Sequence, residues 1–297
     1  MSEPRVSVII LTCNRPHLIG RAIDSVIRQQ YREWEVIVVH DGPDERTIRA
    51  MREWESRDTR IRYFHREAPG NIAEATNYGI SQARGEYIAI LDDDDCWATP
   101  DKLELQVKFL DDNPEYVACG GGAIVIDRNN IETLRYLKPE NDQAIKSRAL
   151  LANPMVHSTL MYRRSVALAL EGYNRTLPGF QDWDFVLKLG KAGKLYNFPV
   201  YFSYYSLWHA GGSFQQQTKN TRAGIGIVWS HKRRYAHAGV ALGLMSLYHA
   251  YAHLPLFARK HSYDFLARLK KSRFAGKSSP VPISDRSGEM ALWKSVR

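Results

Sequence analysis

The sequence predicts an α/β fold, a mostly parallel sheet with helices on both faces, followed by a basic helical extension at the C-terminus. Three observations carry that expectation. Up to about Tyr116, strand-like apolar runs alternate with helix-like runs, the rhythm of strand–helix–strand units. The strand-like runs are apolar almost throughout instead of alternating with polar residues, as strands buried on both faces are. Residues able to do chemistry gather just after those runs, where sheets of this kind bind ligands at the carboxyl ends of their strands.

The elements follow in order. Residues 5–13, RVSVIILTC, form a first strand, and RPHLIGRAIDSVIRQQ sets Leu18, Ala22, Ile23, Val26 and Ile27 on one helical face. WEVIVVHDG (34–42) is a second buried strand stopped by Gly42, and DERTIRAMREWESR reads as the next helix. IRYFHR (61–66), the helix NIAEATNYGISQAR and the strand EYIAIL (86–91) continue the pattern. TPDKLELQVKFLDDN opens a helix for which Thr99 is the expected cap and Pro100 the first-turn residue. Beyond Tyr116 the strands shorten and loops lengthen. The expected organisation is a first unit over 1–220, divided at 115/116, and a separate extension over 221–297.

Composition limits the classes of function. A chain of 297 residues with 44% hydrophobic and 25% charged residues is neither disordered nor fibrous. The net charge of +9 is unevenly placed. Residues 221–297 hold 14 Lys or Arg against 3 Asp or Glu, leaving residues 1–220 at 27 against 29. Two parts with different partners are implied. Cys13, Cys96 and Cys119 show no CxxC pair, so neither a disulfide framework nor a zinc site is signalled. The first apolar run is too short for a secretory leader, and a cytoplasmic protein is expected.

The stretch YIAILDDDDCW (87–97) raises the sharpest question, because a buried strand delivers four consecutive carboxylates, Asp92–Asp95. Two carboxylates about 4 Å apart repel by roughly 4 kcal/mol at an effective dielectric near 20. Such a cluster needs either open water or a cation. An acidic turn in water is the plain alternative, and Trp97 directly after the run argues against it. Chain alternation aims Asp92 and Asp94 to one side, a hard-oxygen pair suited to Mg²⁺ or Mn²⁺ with a diphosphate completing the shell.

SVIILTCNRPHLIGRAIDSVIRQQYREWEVIVVHDG together with GEYIAILDDDDCW and PDKLELQ resembles the inverting, nucleotide-sugar-dependent glycosyltransferases of family 2, with their GT-A, Rossmann-like fold. The similarity runs from about Val6 to Tyr205. The resemblance implies a nucleotide-sugar half over 1–115 and an acceptor half over 116–220. It implies that Leu11, Thr12 and Asn14 border the nucleotide base, that Asp41 bonds the base or ribose, and that Asn77, Asp92 and Asp93 belong to the donor site. Asp94 is the implied ligand of Mn²⁺ or Mg²⁺, with Asp95 in the alternative register. A UDP-sugar is the favoured donor, and a cell-surface polysaccharide or lipid-linked glycan the acceptor. Three positions depart from the family pattern: Leu11 in place of Pro, His40 in place of Asp, and Thr76 in place of Arg.

Inversion requires a general base on the acceptor side. The segment PGFQDWDFVLKLGKAG offers Asp182 and Asp184 ahead of a helix, where either also serves as a cap. The resemblance places the base at Asp182 and leaves Asp184 as a cap or acceptor contact. In NPMVHSTLMYRR, His157 is either a phosphate donor or a packed histidine; His209, in LWHAGGSF, is a weaker phosphate or metal candidate. Trp183 and Trp97 are the tryptophans considered for stacking on a sugar. The rival enzyme reading is a sugar-phosphate nucleotidyltransferase, which wants a Gly-rich basic loop that LTCNRPHLIG does not supply; an inactive nucleotide-sugar-binding module is the third.

Tyr235–Ala258 contains no Lys, Arg, Asp or Glu yet is interrupted by three histidines and Pro255. An amphipathic helix is expected, with Val240, Leu244, Leu247, Tyr248, Tyr251 and Leu254 on one face. Its partner is an anionic membrane surface, the catalytic unit or a twin subunit, and oligomers are open. The basic residues lack interleaved aromatics, so nucleic acid is not expected.

Overall fold

The computed structural model describes residues 3–67, 70–127, 129–206 and 217–254. Its first half alternates β1 (Val6–Thr12), α1 (Pro16–Ile27), β2 (Trp34–Asp41), α2 (Glu45–Arg57), β3 (Ile61–Arg66), α3 (Ile72–Gln82) and β4 (Tyr87–Asp92). The four strands are parallel in the order β3-β2-β1-β4, with Val8 level with Val36 and Ala89. Helix starts follow local chemistry: Pro16 opens α1, the Asp44 carboxylate accepts from the Thr47 amide ahead of α2, and Asn71 with Glu74 forms a capping box on α3.

Successive side chains of a strand point to opposite faces, so each strand feeds two cores. Val8 and Ile10 join Ile19, Ile23, Val26, Leu103 and Leu110 on one face. Ile9, Ile37 and Val39 join Ala75, Ile80, Phe185 and Leu189 on the other. Full burial of each large aliphatic residue contributes about 1.5–3 kcal/mol.

The second half adds β5 (Cys96–Trp97), α4 (Lys102–Asp112), β6 (Tyr116–Ile126), β7 (Glu132–Tyr136), α5 (Asp142–Arg148), a 3-10 turn at His157–Thr159, β8 (Met161–Arg163), α6 (Arg164–Ala169), α7 (Gln181–Ala192) and β9 (Lys194–Ser206). The sheet continues β4-β8-β6-β9-β5, with β8 antiparallel to both neighbours and β7 on β6. Gly121 lets β6 and β9 approach, since a Cβ there would lie 2.5 Å from the Phe202 ring.

The expected Thr99 cap does not form: α4 starts two residues past Pro100, and the Thr99 and Pro100 carbonyls accept from Gln29 and from the Gln30 amide at 2.8 Å. The end of α1, not a local cap, pins that loop. At the start of α4, Lys102 is fully buried, its Nζ 2.6 Å from Gln106 Oε1 and 4.0 Å from the Trp97 ring centre. Burial pushes its ammonium down to about 7. The folded chain therefore releases a proton that the unfolded chain keeps up to its ordinary 10.5. From this group, stability rises between those pH values by up to about 1.4 kcal/mol per unit and is lost as pH falls through 7. Lys102→Met flattens the rise, which urea titrations of both proteins between pH 7 and 9.5 measure.

The chain ends in a helical hairpin, α8 (Gln217–His231) and α9 (Ala238–Ala252), turned by His237 in the left-handed region. The boundary expected at 220/221 falls inside α8. Ile227, Val228, Tyr235 and Ala241 share one buried cluster with Ala149, Leu150, Trp183 and Leu187, so the hairpin is packed into the unit it was expected to follow. Residues 255–297 of the expected extension lie outside the described residues.

Candidate active site

The carboxyl ends of β1, β2 and β4 lie side by side, Leu11 level with Val39 and Asp92, and Thr12 level with His40. Thr12 is buried at this edge. Asn14 adopts a positive φ of 55° and lays its amide over Gly42, whose own φ is 125° and whose missing Cβ would sit 2.9 Å from Asn14 Oδ1. Asp41 accepts from the Gly70 amide at 3.1 Å and faces Arg66 Nε at 3.3 Å. The structure thus gathers Leu11, Thr12, Asn14 and Asp41 on one rim, with Asp92 on the adjoining strand.

The four aspartates form a turn closed by the Asp95 amide on the Asp92 carbonyl at 3.0 Å. Their side chains alternate as expected. Asp92 and Asp94 keep 38% and 23% exposure, whereas Asp93 and Asp95 are buried. Burial pushes the Asp93 carboxyl up to about 7, opposed by Arg15, whose Nη2 lies 2.6 Å from Asp93 and whose Nη1 lies 3.1 Å from Asp94. Asp93, fully buried against Arg15 and Thr12, is closed to a ligand, a correction to its assignment as a donor contact. Asp95 accepts from Ser158 Oγ and from the Ser206 amide at 2.9 Å, and burial with the Asp92 and Asp94 charges raises its carboxyl well above the usual range. The alternative register through Asp95 is therefore turned into the protein and away from the crevice.

Asp92 accepts from Ser158 Oγ at 3.1 Å and faces His157 Nδ1 at 3.2 Å. Burial works to raise its carboxyl, but His157 holds it below the usual range. Burial likewise pulls the imidazole down, and the Asp92 carboxylate outweighs it, pushing His157 up to about 9. Asp182 adds to that pull, and His157 Nε2 meets Tyr173 Oη at 3.2 Å. His157 is accordingly a cation at neutral pH, set between the acidic turn and α7. Asn77 braces the fold: its amide donates to the Tyr173 carbonyl and accepts from the Tyr173 amide, both at 2.8 Å. One of its two amide N–H groups is thereby committed to Tyr173.

Helix α7 begins after Phe180, in a left-handed conformation with φ 58°, and no side chain caps it. Asp182 and Asp184 stand in its first turn, where negative charge complements the helix dipole. Asp182 remains partly exposed and accepts from Asn153 Nδ2 at 2.7 Å. Asp184 is buried against His231 Nε2 at 2.9 Å and Lys188 Nζ at 3.3 Å. Burial opposes, and His231 and Lys188 outweigh, so its carboxyl is held low. It faces the hairpin, not an acceptor. Trp183 is buried too, its Nε1 donating to the Ala149 carbonyl at 2.7 Å, and Trp97 donates to the Ser158 carbonyl at 2.8 Å. Neither presents a ring to a sugar. His209 lies outside the described residues.

Among the described residues, no three His, Cys, Asp or Glu side chains gather to hold a metal by themselves. The exposed Asp92–Asp94 oxygens nevertheless fit a hard cation that takes the rest of its shell from phosphates and water. Burial, with the neighbouring Asp92 charge, raises the Asp94 carboxyl, a surplus of negative charge that a cation relieves. Arg15, Ser158, Asn153, Tyr173 and Arg66 were missed by sequence reading. Arg15 carried one signal, its place directly after the polar end of the first strand; the others pair across long stretches of chain.

A family model described as glycosyl transferase family 2 matches residues 7–170. EpsE of Bacillus subtilis (strain 168), described as a glycosyltransferase, is 30% identical over 195 residues, covering 65% of this chain and 69% of its own. An uncharacterized glycosyltransferase of Rickettsia bellii (strain RML369-C) is 32% identical over 200 residues, 65% of this chain and 28% of its own length. Among solved structures, the mannosyltransferase PcManGT of Pyrobaculum calidifontis, in complex with GDP-Man and Mn²⁺, superposes with a TM-score of 0.63 at 20% identity. That match covers 92% of this chain and 83% of the other. Residues 1–349 of S. aureus TarS with UDP-GlcNAc superpose with a TM-score of 0.62 at 17% identity, covering 90% and 77%.

Proposed function

Given that this chain belongs to glycosyl transferase family 2 and is a glycosyltransferase of the GT-A fold, we propose that it transfers a sugar with inversion. The donor is a nucleoside diphosphate sugar, with UDP favoured, and the acceptor is a hydroxyl of a cell-surface polysaccharide or lipid-linked glycan. One observation carries this reading: His157, which faces Asp92 of the acidic turn at 3.2 Å, is also acted on by the charge of Asp182, a partly exposed carboxylate at the start of α7.

Each group has a part in a single displacement. The acceptor oxygen forms its bond to the anomeric carbon as the bond from that carbon to the diphosphate oxygen breaks, and the departing oxygen keeps the electron pair. Asp182 takes the acceptor proton, with Asn153 fixing the carboxylate's orientation. Arg15 and His157 face the growing negative charge. Thr12, Asn14 and Asp41 border the base and ribose. Mn²⁺ or Mg²⁺ would be held by Asp94 with Asp92 beside it, and when bound supplies charge neutralisation of the phosphates; the Mn²⁺ and GDP-Man in the PcManGT complex support this. Cys13, Cys96 and Cys119 are all free thiols, as suits the cytoplasm where we place the enzyme. Family membership leaves the nucleotidyltransferase reading without support.

A thermal-shift screen of UDP- and GDP-sugars with Mn²⁺ tests the donor, since a ligand of the folded form raises its Tm. The sugar that binds is then incubated with candidate acceptors, and NMR of the product reads the anomeric configuration. Inversion is the expected result; retention, or silence toward every nucleotide sugar, overturns the reading.

A further inference from the structure

Helix α9 is packed the wrong way round for a helix in water. It meets the rest of the protein through small or flexible residues: Ala241 and Ala252 are buried, Ala238, Leu242 and Met245 partly so, and Met245 lies over Gly224. Its other larger aliphatic residues point outward. Val240, Leu244 and Leu247 are between 53% and 70% exposed and follow one another along one side of the helix, and Leu254 just past its end is 46% exposed. Trp229 of α8 is exposed as well, with the Lys232 ammonium over its ring. A continuous apolar stripe of this kind marks a surface that something else covers.

We propose that this stripe lies flat on an anionic lipid bilayer. Charge selects that occupant. Residues 217–254 contain Lys219, Arg222, Lys232, Arg233 and Arg234 and no Asp or Glu. A second copy of the hairpin would bring the same charge against itself. Residues 255–297, with 10 basic and 3 acidic residues, would do likewise if folded back on the stripe. Anionic headgroups bring the opposite charge. The geometry is that of an in-plane helix: fifteen residues span about 22 Å, less than the roughly 30 Å of a bilayer core. Among the described residues no helix is long and apolar enough to cross. Trp229 and Lys232 combine apolar bodies with polar tips, as interfacial residues do. Tyr235 Oη donates to the Leu187 carbonyl at 2.6 Å and His231 pairs with Asp184, so the docked hairpin also fixes how α7 stands on the surface.

Binding rests on the hairpin alone; that it brings the crevice to a lipid-linked acceptor rests on the function proposed above. Flotation of the full-length protein with vesicles of phosphatidylcholine, with or without phosphatidylglycerol, tests the binding. The wild type floats with the anionic vesicles only and is released by high salt. L244E/L247E and, separately, K232E/R233E/R234E each reduce the bound fraction tenfold or more. Both variants keep the nucleotide-sugar thermal shift of the wild type, which separates failure of docking from failure of the enzyme reading. The proposal is overturned if the wild type stays at the bottom of the gradient or L244E/L247E floats undiminished. Light scattering that shows a dimer broken by L244E/L247E would assign the stripe to a second copy. Footprinting in which the stripe is protected without vesicles, and exposed only after removal of residues 255–297, would assign it to this chain's own C-terminus.

Discussion

Asp182→Asn lowers sugar transfer by roughly 10²–10⁴-fold, the usual contribution of a positioned general base, while the donor's Kd stays at the wild-type value. The substitution keeps the shape of the side chain and an oxygen for Asn153 to donate to. It removes only the ability to take up a proton. The reading in which Asp182 merely complements the α7 dipole makes a different forecast: a small loss of stability and no change in the chemical step. Single-turnover rates with preformed donor complex, alongside calorimetry of donor binding and a thermal melt, separate the two. A variant that transfers at the wild-type rate removes Asp182 from the reaction.

The second large effect is on the metal. In the wild type, Mn²⁺ tightens binding of the nucleoside diphosphate by at least about tenfold, or 1.4 kcal/mol. Asp94→Ala abolishes that difference while metal-free binding changes little. Asp94 keeps an exposed oxygen edge at the crevice, whereas Asp93 and Asp95, one residue away on either side, are buried and engaged by Arg15 or by Ser158 and Ser206. Calorimetric titrations of UDP and GDP with and without Mn²⁺ measure it. A metal effect that survives in Asp94→Ala places the cation elsewhere.

The first four strands and their helices were legible because strands buried on both faces leave unbroken apolar runs, and a parallel sheet then dictates where the loops converge. That logic was enough to bring Leu11, Thr12, Asn14, Asp41 and Asp92 to one rim. The acids do fall into a more exposed and a buried pair, but the turn that begins at Asp92 sets them so, not alternation along a strand. What the sequence concealed are pairings over long separations, which leave no periodicity. Ser158 reaches Asp92 and Asp95 across more than sixty residues, Asn153 holds Asp182 across 29, and His231 takes Asp184 across 47. Trp183 was misread for a related reason: the side chain suits ligand binding by type, and only its burial and the Ala149 carbonyl show that its polar atom is already taken. The apolar face of α9 was legible in the spacing of Val240, Leu244 and Leu247; which residues pack against the protein, Ala241, Leu242 and Met245, was not.

The His231–Asp184 pair has a practical consequence for anyone building chimaeras from relatives that share only the first two thirds of this chain. A junction placed after β9 with a foreign C-terminal segment removes His231 and leaves the buried Asp184 carboxylate, two residues from Asp182, with Lys188 of its own helix as its remaining charged partner, so part of the compensation for its burial is lost. Such hybrids gain stability when the incoming segment carries an imidazole at the position of His231, or when Asp184 is exchanged together with it for an uncharged pair of similar volume.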